Sequence, residues 1–167
     1  MTAYQPSTPD PEKPTRPRLP WSVRLLVLAP SCFLYLVACS APAIDFLKNG
    51  EEPQRWYGFE AMLLGWQGAF IGQLGWYANP VLLIACVLIL FRRFVAAALF
   101  GSIAVAIAGN SWQLFHQEIP ADEGNVNHLQ VTAFGIGFYL WFASLIAAVV
   151  APILAAIIWR ALRRTGR

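Results

Sequence analysis

Charge is what this sequence has least of. Only 13% of its 167 residues are Asp, Glu, Lys or Arg, while 57% are hydrophobic. Soluble domains carry about a quarter charged residues, so roughly half the usual complement is missing. A soluble chain of this length, enough for one domain, would lack the polar surface to cover its core, and the shortage points to lipid as the solvent. Cysteine is also sparse. Cys32, Cys39 and Cys86 all fall in apolar runs at no metal-ligand spacing, and read as small apolar packing groups.

Several chemistries are excluded by what is missing. The basic residues form no stripe along a folded face, which argues against nucleic acid as a partner. P-loop, dinucleotide-binding glycines and metalloprotease motifs are absent, and no GxSxG turn surrounds Ser111 or Ser144. Ionisable groups are missing from the apolar runs apart from cysteine and tyrosine, whereas pumps and proton-coupled transporters keep such groups inside the membrane. An enzyme is therefore not expected, and neither is a cofactor.

What is present is a set of long uncharged runs. Leu25–Ile44, Ala61–Phe91, Phe94–Phe115 and Leu129–Trp159 carry no charge. About twenty residues of helix cross the roughly 30 Å hydrocarbon core. Because open sheet edges cannot survive in lipid, the fold class expected is an all-α integral membrane protein, a bundle of four transmembrane helices. Spans are placed at about 25–44, 72–91, 94–115 and 130–158, within a membrane domain over 25–159. A polar, basic, Pro-rich tail (1–24) precedes it and a basic tail (160–167) follows. Ten of the twelve basic residues fall in the two tails or at Arg92 and Arg93, leaving Lys48 and Arg55 on the other side. The positive-inside rule then puts both termini in the cytoplasm. Alanine-rich spans with arginine-heavy ends suggest a bacterial inner membrane.

Two features of the N-terminal region need reading separately. Leu36-Val37-Ala38-Cys39 resembles a lipoprotein cleavage site, but a 24-residue polar lead and Pro30 within the apolar stretch argue against cleavage. Pro11, Pro14, Pro17 and Pro20 recur every three residues, the period of a polyproline II helix. Such a helix docks on aromatic grooves; the favoured reading is a disordered basic arm drawn to anionic lipid.

The second run, 31 residues, is too long for one untilted span. An outer interfacial amphipathic helix over 58–71 is expected, followed by a span over 72–91 kinked at Pro80. On such a helix Gly58, Gly65, Gly68, Gly72 and Gly75 share one face, with Gly68 and Gly72 as a GxxxG pair. Phe59, Trp66, Phe70 and Tyr77 form an opposing stripe suited to the headgroup level. Helix packing is the favoured role for the glycines, with a glycine-lined ligand groove as the alternative. Gly101, in a stripe with Ala97, Ala104 and Ala108, and Gly137, in line with Ser144, Ala148 and Ala151, extend the small-residue habit to the last two spans. These stripes suit a tight bundle or a homo-oligomer.

Candidate chemistry reduces to the segment 113–130. His116 and His128 flank Glu118, Asp122 and Glu123, and imidazole with carboxylate can bind zinc or copper, or paired histidines a haem. A solvated polar loop explains the same residues. Asn79, Asn110 and Gln113 are the polar groups that could line a permeation path. The function expected is a small accessory or scaffold subunit. It would act on a membrane-protein partner through helix packing and its outer aromatic segment, Trp56–Tyr77.

Overall fold

The first helix, α1 (Trp21–Ser40), runs 20 residues, about 30 Å at the usual rise. The computed structural model to which it belongs describes residues 21–120 and 127–165. Most of the Pro-rich tail, together with Asp122 and Glu123, lies outside them. Three further long helices follow: α3 (Ala78–Leu90), α4 (Phe94–Ala108) and α5 (Ile136–Thr165). A 3-10 segment, Gly109–His116, prolongs α4. Between α1 and α3 lies the short α2 (Gly58–Leu64), continued by 3-10 turns at Gly65–Ile71 and Gly75–Tyr77. Among the described residues three helical stretches are long and apolar enough to cross a membrane, Trp21–Ser40, Phe94–His116 and Ile136–Ala161; Gly75–Leu90 is apolar but shorter.

The chain is not all-α. Strands β1 (Pro42–Lys48), β2 (Glu52–Tyr57), β3 (Glu118–Pro120) and β4 (His128–Phe134) form an antiparallel sheet in the order β2-β1-β4-β3. The uncharged runs hid it. The expected first span, 25–44, takes in the start of β1, and the expected fourth, 130–158, begins inside β4. In β4 the alternation is visible once sought: Leu129 and Val131 are buried while Gln130 and Thr132 are exposed. Together with Phe46 they make a small sheet core, and the Phe46 ring meets Trp56 edge-on at 4.9 Å. Asn49 and Gly50, with φ of 51° and 79°, turn β1 into β2 in the left-handed conformation that tight hairpins require. Asn49 then accepts the backbone N–H of His128 at 3.0 Å, tying the turn to β4. The exposed face carries an Arg55–Asp45 ion pair (2.6 Å), whose hydrogen bond and charge raise the arginine's pKa.

The second run also departs from expectation. The helix over 58–71 is α-helical only to Leu64, and Gly72 (φ 78°) closes the 3-10 turn after it. Gly72 N–H donates to Ala69 O and Gln73 N–H to Gly68 O at 2.8 Å, the paired closure of a Schellman motif. No kink forms at Pro80. The α-helix starts at Ala78, so Pro80 sits in its first turn, where its missing N–H leaves no bond unmade. The left-handed break at Gly72 does the bending that Pro80 was expected to do.

The helices pack in a ring, α1 on α5, α5 on α4 and α4 on α3, while α3 meets α1 only sparsely. Small residues make the tight contacts. Ala97, Gly101, Ala104 and Ala108 are buried, and a methyl added at Gly101 would come 2.9 Å from Val149. Ser31 donates to Ser144 O across α1 and α5 at 2.9 Å, both residues fully buried. At one end, Arg24 donates to Leu90 O, the last residue of α3, at 2.9 Å. The sheet sits at the other end, joined to α1 through β1 and to α5 through β4.

Candidate functional site

Where sheet meets bundle the chain crowds one corner. A methyl on Gly137 would lie 2.7 Å from Ala41 O and 2.9 Å from Pro42 O, and one on Gly135 would be 2.8 Å from the Pro42 carbonyl carbon. Gly58 abuts the carbonyl of Ala38 and donates its own N–H to Ala41 O at 3.0 Å. Gly137 therefore packs on the end of α1 and the first residue of β1. Beside this corner, Trp112, Phe115, Phe134, Phe138 and Phe142 join the end of α4 to β4 and α5 through ring contacts of 3.9 to 5.9 Å.

Under the cap a cavity of about 640 Å³ remains. Its floor is the sheet-side end of α1, α3 and α5, its roof is formed by β1 and β2, and one wall is α2 with its 3-10 continuation. That volume lies within the roughly 300–1,000 Å³ range of small-molecule sites. Among the described residues no Asp, Glu, Lys, Arg or His lines it. Four tryptophans do, Trp56, Trp66, Trp76 and Trp141, together with apolar groups such as Ile44, Phe46 and Met62.

The polar groups converge near the floor. Asn79 Oδ1 accepts Trp141 Nε1–H at 2.8 Å and Tyr35 O–H at 3.2 Å. Indole N–H only donates, so the atom facing it must be the carboxamide oxygen, and the amide orientation is fixed by the network. The Asn79 Nδ2 group is left without a hydrogen-bond partner among the described residues, on a side chain that lines the cavity. The Ser111 hydroxyl lies against Gly75, and both line the same space. Gln73 is buried and donates to Gln117 Oε1 at 2.6 Å, and Trp76 Nε1–H donates to Met62 O at 2.6 Å, so the wall is stapled by its own polar groups.

The residues singled out from sequence fall in different places. Gly65, Gly68, Gly75 and Gly137 line the cavity, and each sits against a neighbour that leaves little or no room for a side chain. A methyl at Gly65 would strike the Trp76 ring at 2.6 Å, and one at Gly68 would meet Gln73 at 3.0 Å. Gly72 has open space around it and serves the turn. Phe59, Trp66, Phe70 and Tyr77 are all exposed, Phe70 by 82%, and Trp66 contacts Phe70. Of the three polar candidates only Asn79 reaches the cavity; Asn110 Oδ1 accepts Leu74 N–H at 2.6 Å, and its Nδ2 donates to Gln113.

The histidines are separated by the register. His128 lies opposite Pro120 in the β3–β4 pair, with Nδ1 3.9 Å from Glu118, whereas His116 ends the 3-10 segment before β3. Among the described residues no group of three or more His, Cys, Asp or Glu side chains comes together. Sequence reasoning missed Tyr35, Ser111 and Trp141 as site residues. The cavity forms where elements distant in sequence meet; of its lining, the glycines, Trp66, Phe70, Cys39 and Asn79 had been singled out, for different reasons. The chain matches no protein-family model, no curated protein and no solved structure.

Proposed function

We propose that this chain is a non-catalytic accessory protein of the bacterial inner membrane that works by holding an apolar ligand between its bundle and its outer cap. The observation that carries this reading is the 640 Å³ cavity whose described lining holds no carboxylate, amine or imidazole. Bond chemistry draws on acids, bases or nucleophiles held together, and the ionisable groups among the described lining residues are the Cys39 thiol and the Tyr35 phenol, with no imidazole or carboxylate beside them to activate either.

In this reading the protein has four spans and both ends are cytoplasmic. Three spans are the long helices, and Gly75–Leu90 supplies the fourth. Its 16 residues reach roughly 26 Å, close to a hydrocarbon core that thins around short spans. Arg24, Arg92, Arg93 and Arg160 gather at the end away from the sheet, which supports a cytoplasmic placement of that end. The sheet, with one polar face and two edges, is then on the outer side in water. The exposed rings on and after α2 sit at the headgroup level beside it.

The test is to purify the chain in a mild uncharged detergent and weigh it intact by native mass spectrometry. A small molecule retained at one per chain is expected. Ala61, on the α2 wall of the cavity, gives the matched control: Ala61→Trp should fill the space and abolish retention while leaving the helical circular dichroism unchanged. Equal retention by both proteins would refute the cavity as the binding site.

A further inference from the structure

Resting on the reading of the cavity as a binding site, we propose its ligand class: an uncharged amphiphile, an apolar chain ending in a hydroxyl, ether or carbonyl oxygen that Asn79 Nδ2 holds. Three observations converge. The lining contains no charge of either sign among the described residues, so an ionised headgroup would enter with no counter-charge there and lose its hydration. The remaining wall is aromatic, aliphatic or glycine backbone and suits a chain. At roughly 30 Å³ for each water-sized group, 640 Å³ admits about twenty heavy atoms.

The third observation sets the polarity of the head. Trp141 and Tyr35 both donate to the oxygen of Asn79, so the amide N–H groups of this cavity-lining residue are its remaining donors. An oxygen lone pair is the neutral group that accepts from them. Trp141 and Tyr35 act as positioning residues here, since they hold the carboxamide in the orientation that presents its N–H groups. Ser111, which lines the same space beside Gly75, can give or take a second bond.

The lining tryptophans supply the readout, because a bromine atom nearby quenches indole fluorescence. Detergent-solubilised full-length protein would be titrated with four probes of one chain length: ω-bromoundecanol, bromoundecane, ω-bromoundecanoate and ω-bromoundecylammonium, at a pH where the last two are ionised. Saturable quenching by the alcohol is expected, at least ten-fold tighter than by either ion and on the order of five-fold tighter than by bromoundecane. In Asn79→Leu the advantage of the alcohol over bromoundecane should vanish while bromoundecane itself still binds. Should that variant not fold, the four wild-type affinities decide alone. Ions that bind as well as the alcohol, or an alcohol no better than bromoundecane, would overturn the ligand class and leave a binding cavity standing. Absence of saturable quenching by every probe would overturn the cavity reading itself.

Discussion

Replacing Gly137 by alanine tests the corner that joins cap to bundle. The added methyl would sit 2.7 Å from Ala41 O, 2.9 Å from Pro42 O and 3.0 Å from Ala38 O. Ordinary carbon–oxygen contacts run about 3.3 Å or more, so three backbone carbonyls would each have to retreat by a few tenths of an ångström. They are not free to do so. Ala41 N–H holds Ala38 O at 3.2 Å, and Gly58 N–H holds Ala41 O at 3.0 Å. Overpacking of this kind costs about 1–3 kcal/mol. Alanine recovers at most about 1 kcal/mol of backbone entropy relative to glycine, so a net loss is expected. Gly109 provides the opposite case: its φ is −57° and nothing lies within 4 Å of an added methyl, so Gly109→Ala should gain roughly 0.5–1 kcal/mol. Unfolding in mixed micelles, followed by tryptophan fluorescence, should separate the two variants by about 2 kcal/mol with wild type between them. A Gly137→Ala protein as stable as Gly109→Ala would refute the packing argument.

Two further outcomes follow from contacts elsewhere. Asn110→Ala strips the acceptor from Leu74 N–H, bonded at 2.6 Å, and should lower stability by about 1–2 kcal/mol, with faster proteolysis between residues 65 and 77. Asn110→Asp, which keeps the acceptor, should restore most of the protection; equal damage by both would show that the bond does not hold the cavity wall. Cys32 on α1 and Cys86 on α3 are neighbours across the contact between these two helices. In a Cys39→Ser protein with a protease site inserted at Gly50, a mild oxidant should link the two fragments, and their separation on a non-reducing gel would count against this helix pairing.

The membrane helices were legible because their signal is long and redundant: some twenty uncharged residues bounded by Arg24, Arg92-Arg93 or Arg160 can hardly be anything else. The sheet was not. Its strands are three to seven residues long, and the start of β1 and the whole of β4 after His128 are as uncharged as the spans they abut, so Pro42–Ile44 and Leu129–Phe134 merged into helical runs. The local signals were there in Asn49-Gly50 and in the alternation of Leu129, Gln130, Val131 and Thr132, but hydropathy averaged over twenty residues smooths out a period of two. Pro80 misled in another way. A proline inside an apolar run reads as a kink, yet the same residue is at home in a first helical turn, and which applies depends on where the helix starts. That start was set five and more residues upstream, by the left-handed Gly72. The glycine face was read as a helix-packing surface; the groups that lie against Gly65, Gly75 and Gly58 are the Trp76 ring, the Ser111 hydroxyl and the end of α1.

The position of the cavity follows from the unequal helix lengths. α1 has 20 residues and α3 only 13, so the α-helical part of α3 is about 10 Å shorter than its neighbour. A missing cylinder of helix about 10 Å long and 10 Å across would leave on the order of 800 Å³. The 3-10 turn Gly75–Tyr77 takes back about 6 Å of that length, so the shortfall supplies on the order of 300 Å³, about half of the 640 Å³ observed, and the bend of the segment before it supplies the rest. The segment that would have completed the helix is instead bent aside at Gly72 and stapled as a wall by Gln73, Leu74 and Trp76. On the topology proposed above, this hollow would have lipid on one side and a water-facing sheet on the other. The proposed ligand, with an apolar body and an uncharged polar end, matches that pair of surroundings and the described lining. On that reading the shortness of α3 accounts both for a fourth span that length alone does not identify and for the hollow beside it.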